Sequence, residues 1–152
     1  MRNLRFLILP ALCLILSTGS SNAQQSAERT LNTLGSLTAV SIYNSYFSIG
    51  LMMDAYSGGI HDAELATGML NEQVLWMTQM GVEIDGLLQS GELIGPGDAE
   101  FVAVARSIFS DLEVLAGVAA AHTANSSEAT LMRFEEKRAE VWDRISVFLG
   151  FE

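Results

Sequence analysis

From Thr30 to Met53 the chain runs 24 residues without a charged side chain. Asn32, Ser36, Ser41, Asn44 and Ser48 make this stretch too polar for a comfortable membrane span. It is also too apolar to lie wholly on a protein surface. A helix of that composition is usually surrounded by other helices, and the chain supplies three further amphipathic segments of similar length to wrap it.

The residues ahead of it read as a targeting segment. Arg2 and Arg5 form a short positive region, Phe6 to Leu16 is an apolar run, and Ser21-Asn22-Ala23 fits a small-x-small cleavage site. This pattern predicts a secretory signal peptide over residues 1–23, cut after Ala23, with a bundle domain over 24–152. The apolar run falls short of the ~20 residues that a spanning helix needs; an uncleaved anchor is the alternative reading. The only cysteine, Cys13, follows Leu12 rather than a small residue, which argues against a lipid anchor. The domain therefore has no cysteine for disulfides or thiolate metal sites and must rely on its core. The expected compartment is periplasmic or extracellular.

Charge excludes some partners. The whole chain carries 8 basic against 18 acidic residues, and Arg2 and Arg5 leave with the signal. Such an acidic domain repels nucleic-acid phosphates and anionic lipid. No nucleic-acid partner is expected, and no membrane contact after cleavage.

Helical periodicity recurs four times. Glu28 and Arg29 open the first helix, with a seam of Leu31, Gly35, Thr38, Ile42, Ser45, Ile49, Met52 and Tyr56 in alternating steps of four and three. Val40, Tyr43, Phe47 and Leu51 widen its apolar surface on another side, which points to more than one neighbour or to a second subunit. Ser57-Gly58-Gly59 ends it. The second helix starts near His61 or Asp62, with a seam through Ala66, Leu70, Gln73, Met77, Met80, Ile84 and Leu87. Its Gly68, Gly81 and Gly86 each cost about 1 kcal/mol relative to alanine, for which close approach of a neighbouring helix is the expected compensation.

Gly95-Pro96-Gly97 reads as linker, and Asp98 as the N-cap of the third helix, whose seam is Phe101, Ala105, Ile108, Leu112, Leu115, Ala119 and His122. Asn125 and Glu128 suggest a capping box for the fourth helix. That helix places Leu131, Phe134, Arg138, Val141, Trp142, Ile145 and Leu149 inward, with Glu140 and Arg144 paired four apart. No segment alternates as a strand would. The expected fold is all-α, an up-down-up-down antiparallel four-helix bundle.

Common catalytic constellations are missing: there is no His-Glu-x-x-His, no Glu-x-x-His and no Cys-x-x-Cys-His. The expectation is a non-enzymatic protein acting through binding or assembly. Two clusters depend on the antiparallel arrangement. At one end His61 and His122 meet Met52, Met53, Met69 and Met132; imidazole and thioether ligands suit Cu(I), or a b-type haem. The bland alternative is methionine as core filling and histidine at a helix C-terminus. Mid-bundle, Ser45, Gln73 and Arg138 fall at one level, with Glu72 or Glu113 within reach. They form either a polar layer that fixes helix register or a pocket for a small anion. A patch of Val40, Tyr43, Phe47 and Leu51, left exposed, would drive a homodimer through the first helix.

Overall fold

In a computed structural model, the backbone is described for residues 8–91 and 95–151, and side chains for 32–91, 95 and 97–151. Four α-helices follow one another: α1 Ile8–Ser57, α2 Ala63–Ser90, α3 Pro96–Ala124 and α4 Glu128–Leu149. The described residues contain no strand. The chain divides into two compact units, Met1–Leu37 and Thr38–Glu152. In the first unit Leu34 and Leu37 are exposed. The second contains α2, α3, α4 and the part of α1 from Thr38 onward, packed against each other. Arg2 and Arg5 lie outside the described residues, as do the side chains of Phe6 to Leu16, Cys13 and Ala23.

Helix α1 begins at Ile8, not at Glu28. Between Ser17 and Ala27 the serines, Thr18, Gly19 and Asn22 weaken helix formation, but there is no proline to break it. Pro10 falls in the first turn, where a missing N–H is tolerated.

The other helix ends follow the local chemistry. Asp62 caps α2, its Oδ1 accepting the Leu65 N–H at 2.8 Å, and Gly91 closes it at φ 74°. Two expected starts move. Helix α3 begins at Pro96 with Gly95 as N-cap. Asp98 is the third helical residue, accepting the Gly95 N–H at 3.0 Å, because proline suits the first helical position. The N-cap of α4 is Ser127, whose Oγ accepts the Thr130 N–H at 3.2 Å. Asn125 instead ends α3, its N–H donating to the Ala121 carbonyl.

Contacts join the end of one helix to the beginning of the next. Thr67 near the start of α2 meets Thr123 near the end of α3 at 2.7 Å. Arg106, early in α3, reaches Asp85, late in α2, at 3.1 Å. Phe101 stacks on Phe148 at 5.1 Å, and His122 meets Thr130 at 2.8 Å, tying α3 to α4 at both ends. Helix α1 meets α4 through Tyr46 and Trp142 at 5.3 Å, and α3 through Tyr56 and His122 at 6.0 Å.

Among the residues whose side chains are described, α3 is more enclosed than α1. Ala105, Ile108, Phe109, Leu112, Leu115, Ala116, Ala119, Ala120, His122 and Thr123 of α3 are buried, against Ile42, Ser45, Ile49, Met52 and Met53 of α1. Alanines at 105, 116, 119 and 120 let neighbours come close to α3. The large side chains Phe109, Phe134, Leu70, Met77 and Ile145 fill the space around it. Each such side chain stabilises the fold by roughly 1.5–3 kcal/mol through transfer from water. Phe101 and Leu131, expected inside, are partly exposed at the two ends of the bundle.

The glycines of α2 separate into two kinds. A Cβ added at Gly81 would lie 2.9 Å from Cζ of Arg106, so a guanidinium from α3 lies over that glycine. Gly68 and Gly86 have open space where a Cβ would be, so helix approach does not explain them.

Candidate functional site

The end cluster forms in part. His61, Met52 and Met69 line one groove of about 320 Å³ between α1 and α2, together with Ser48, Leu51, Glu72 and Gln73. The turn at Gly58 to His61 places that histidine there: the N–H groups of Ile60 and His61 both donate to the Ala55 carbonyl, folding the chain back onto α1. The remaining candidates lie elsewhere. His122 is buried, with Nδ1 2.8 Å from Thr130 Oγ1 and Tyr56 edge-on to its ring. Met53 is part of the hydrophobic core. Met132 is 57% exposed on α4 and does not line the groove. Among the described residues no three His, Cys, Asp or Glu side chains converge as a metal-binding group.

His122 joins a network that the sequence did not indicate. Thr130 Oγ1 accepts the Ser127 N–H at 3.1 Å and lies within donating distance of the Asn125 and Ser127 carbonyls. A threonine hydroxyl can donate to one of those carbonyls and still accept an N–H from His122. The histidine thus ties the α3–α4 turn to the cap of α4. The only sequence signal for it was a serine three residues before a threonine.

The three mid-bundle residues have separate partners. Ser45 is buried and donates back to the Ser41 carbonyl at 2.7 Å within its own helix. Gln73 lines the α1–α2 groove. The Arg138 side chain is 35% exposed and pairs with exposed Glu135 at 3.6 Å, one turn away on α4. Tyr46 donates to the Arg138 carbonyl at 3.5 Å, and a Cβ at Gly50 would lie 4.0 Å from the guanidinium. Burial lowers the Arg138 pKa. Tyr46 and the Glu135 and Asp54 charges outweigh that effect and hold it above the ordinary arginine value. The expected burial of Arg138 is therefore only partial. Its guanidinium lies beside Gly50 of α1 and the side chain stays partly exposed, as long cationic side chains commonly do.

Arg144 also departs from the pattern expected on one helix. It crosses to Asp111 and Ser107 on α3. Glu140 is taken by Lys137 at 3.0 Å, and Lys137 also reaches Asp111 at 3.6 Å. Among the described residues, every buried side-chain nitrogen or oxygen has a hydrogen-bond partner.

An exposed apolar stripe runs along the outer face of α1. Ile42, Ser45, Ile49 and Met52 face the core. On the opposite side Val40 is 55% exposed, Phe47 48% and Leu51 60%, with Asn44 exposed between them. These four positions follow steps of four, three and four, which keep side chains on one stripe of a helix. One flank is built from aromatic rings. Tyr43 lies 5.2 Å from Phe47, 6.5 Å from Trp142 and 6.4 Å from Phe151, measured between ring centroids. Trp142 in turn contacts Phe151 and Tyr46. The other flank opens to the groove that holds His61, because Leu51 lines both. No helix among the described residues is long and apolar enough to cross a membrane. Comparison of the chain with protein-family profiles, with curated proteins and with solved structures returns no match.

Proposed function

We propose that the chain is an exported, non-enzymatic helical bundle that acts through binding or assembly, with the outer face of α1 as its contact surface. The observation that carries this reading is the exposure of Val40, Phe47 and Leu51 on one charge-free stripe. An apolar surface of that kind, continuous with an aromatic flank, marks an interaction site. Export rests on the signal-like residues 1–23, and the bundle reads as up-down-up-down antiparallel from the end-to-start contacts of α2, α3 and α4. Sedimentation of wild type and Phe47→Glu tests the reading. Wild type should associate as concentration rises, and the variant should stay monomeric with an unchanged helical circular dichroism spectrum. A wild type that stays monomeric at high micromolar concentration removes the assembly claim.

A second reading, a copper carrier, has one specific observation in its favour: His61, Met52 and Met69 line the same groove. One imidazole and two thioethers suit Cu(I) better than a divalent ion. A b-type haem has less support, because the second imidazole, His122, is buried and does not line that groove. Titration with Cu(I) under a competing chelator decides the matter. Wild type should bind more tightly than His61→Ala and Met69→Leu, while Met132→Leu should bind like wild type. Equal binding by all four removes the carrier reading, and a Soret band after purification would replace it with haem.

A further inference from the structure

We infer that the occupant of the α1 face is a second copy of this chain, lying parallel and in register, with Asn44 of each copy against Asn44 of the other. The inference rests on the assembly reading and adds the partner, the direction and the register.

Charge makes a second copy suitable. The chain carries 18 acidic and 8 basic residues, so most of one copy's surface repels another. Residues 30–53 are a stretch where two copies can touch without bringing acids together. The spacing fits the same partner. Val40 and Phe47 stand seven apart, as do Asn44 and Leu51, and the two series interleave as the core positions of a two-stranded coiled coil do.

Direction follows from Asn44, the one polar member of the stripe. In an antiparallel pair each series meets the other, which would set Asn44 against Phe47 twice and leave two amides facing phenyl rings. In a parallel pair each position meets itself. Asn44 then faces Asn44, where one amide oxygen accepts from the other amide nitrogen, and a single asparagine of this kind fixes register and strand number. The opposing consideration is Asp54, next in the Phe47 series, which would face its own copy. Asp54 is exposed, so that repulsion is screened by water. Two unmet amides inside a contact are the larger penalty. Asp54 thus ends the stripe instead of reversing it.

Cysteine cross-linking reads direction. In full-length protein with Cys13→Ser, single cysteines are placed at Val40, at Leu51 and, for reference, at exposed Glu136 on α4. Each variant is oxidised mildly after its circular dichroism is checked. A parallel pair brings like positions together, so Val40→Cys and Leu51→Cys should each form disulfide dimers at least ~10-fold faster than Glu136→Cys, close approach being required for the bond. An antiparallel pair would set like positions ~16 Å apart, at 1.5 Å per residue over 11 residues. Only a mixture of the Val40→Cys and Leu51→Cys proteins would then cross-link, which overturns the parallel register and leaves the assembly reading standing. A dimer in which neither α1 cysteine outpaces Glu136→Cys removes α1 from the interface and overturns both. A protein that sediments as a monomer does the same.

Discussion

Replacing Gly68 and Gly86 by alanine should stabilise the protein. Both lie inside α2, and neither has a positive φ. A Cβ at either would meet nothing within 4 Å. Alanine at such a site gains roughly 0.4–1 kcal/mol, mainly because the unfolded chain loses freedom. The two lie 18 residues apart, so their effects should add to about 1–2 kcal/mol. For a chain of this length that corresponds to a rise of roughly 3–8 °C in Tm. Gly81→Ala provides the contrast. Its Cβ would fall 2.9 Å from Arg106 Cζ and 3.1 Å from Nη2, so the guanidinium must move and its 3.1 Å bond to Asp85 must weaken. That partly exposed pair contributes about 0–1 kcal/mol, which cancels much of the helix-propensity gain, and the net change should be within about 1 kcal/mol of zero. Urea titrations followed by far-ultraviolet circular dichroism at one protein concentration measure all three. Loss of stability in Gly68→Ala or Gly86→Ala would show that something approaches the α2 backbone there. A gain at Gly81 as large as at the other two would show that Arg106 is not held over the glycine.

Other outcomes follow from the same packing. Phe109→Ala, at a fully buried ring of α3, should cost about 3–5 kcal/mol in urea unfolding; less than about 1 kcal/mol would mean that α3 is not the enclosed helix. Thr130→Ala removes the partner of His122 and two helix-cap contacts, and should cost more than the ~1 kcal/mol of an ordinary cap; Thr130→Ser should restore most of it, and equal loss in both would refute the hydroxyl's role. Arg138→Met should change stability by less than about 1 kcal/mol, since the group is 35% exposed and its partner Glu135 is exposed too. A loss of several kcal/mol would instead reveal a buried ionic partnership.

Apolar spacing carried the architecture well. The seams of α2 and α3 place Ala66, Leu70, Met77, Ala105, Ile108, Leu112, Leu115 and Ala119 in the core, where the structure has them. Periodicity fixes which residues share a stripe, but not how many stripes are covered. That is why the charge-free α1 read as the enclosed helix, while α3, with small residues on a second stripe at Ala116 and Ala120, is the more enclosed. The polar layer illustrates a different limit. Counting residues along antiparallel helices sets Ser45, Gln73 and Arg138 at one level, yet level does not determine azimuth. Gln73 faces the α1–α2 groove, whereas the Arg138 guanidinium lies beside Gly50 of α1 with a partner on its own helix. The caps shifted, by three residues at α3 and by two at α4, for a local reason: proline and serine each offer a better start than the acidic or amide residue that the pattern suggests.

The central claim is that the outer face of α1 becomes covered. Hydroxyl-radical footprinting of full-length protein over a range of concentrations tests this directly, with Trp76, a partly exposed ring on α2, as internal reference. Modification of Phe47 and Leu51 should fall as concentration rises while that of Trp76 stays constant. Constant modification of Phe47 and Leu51 from low to high micromolar concentration would contradict the claim.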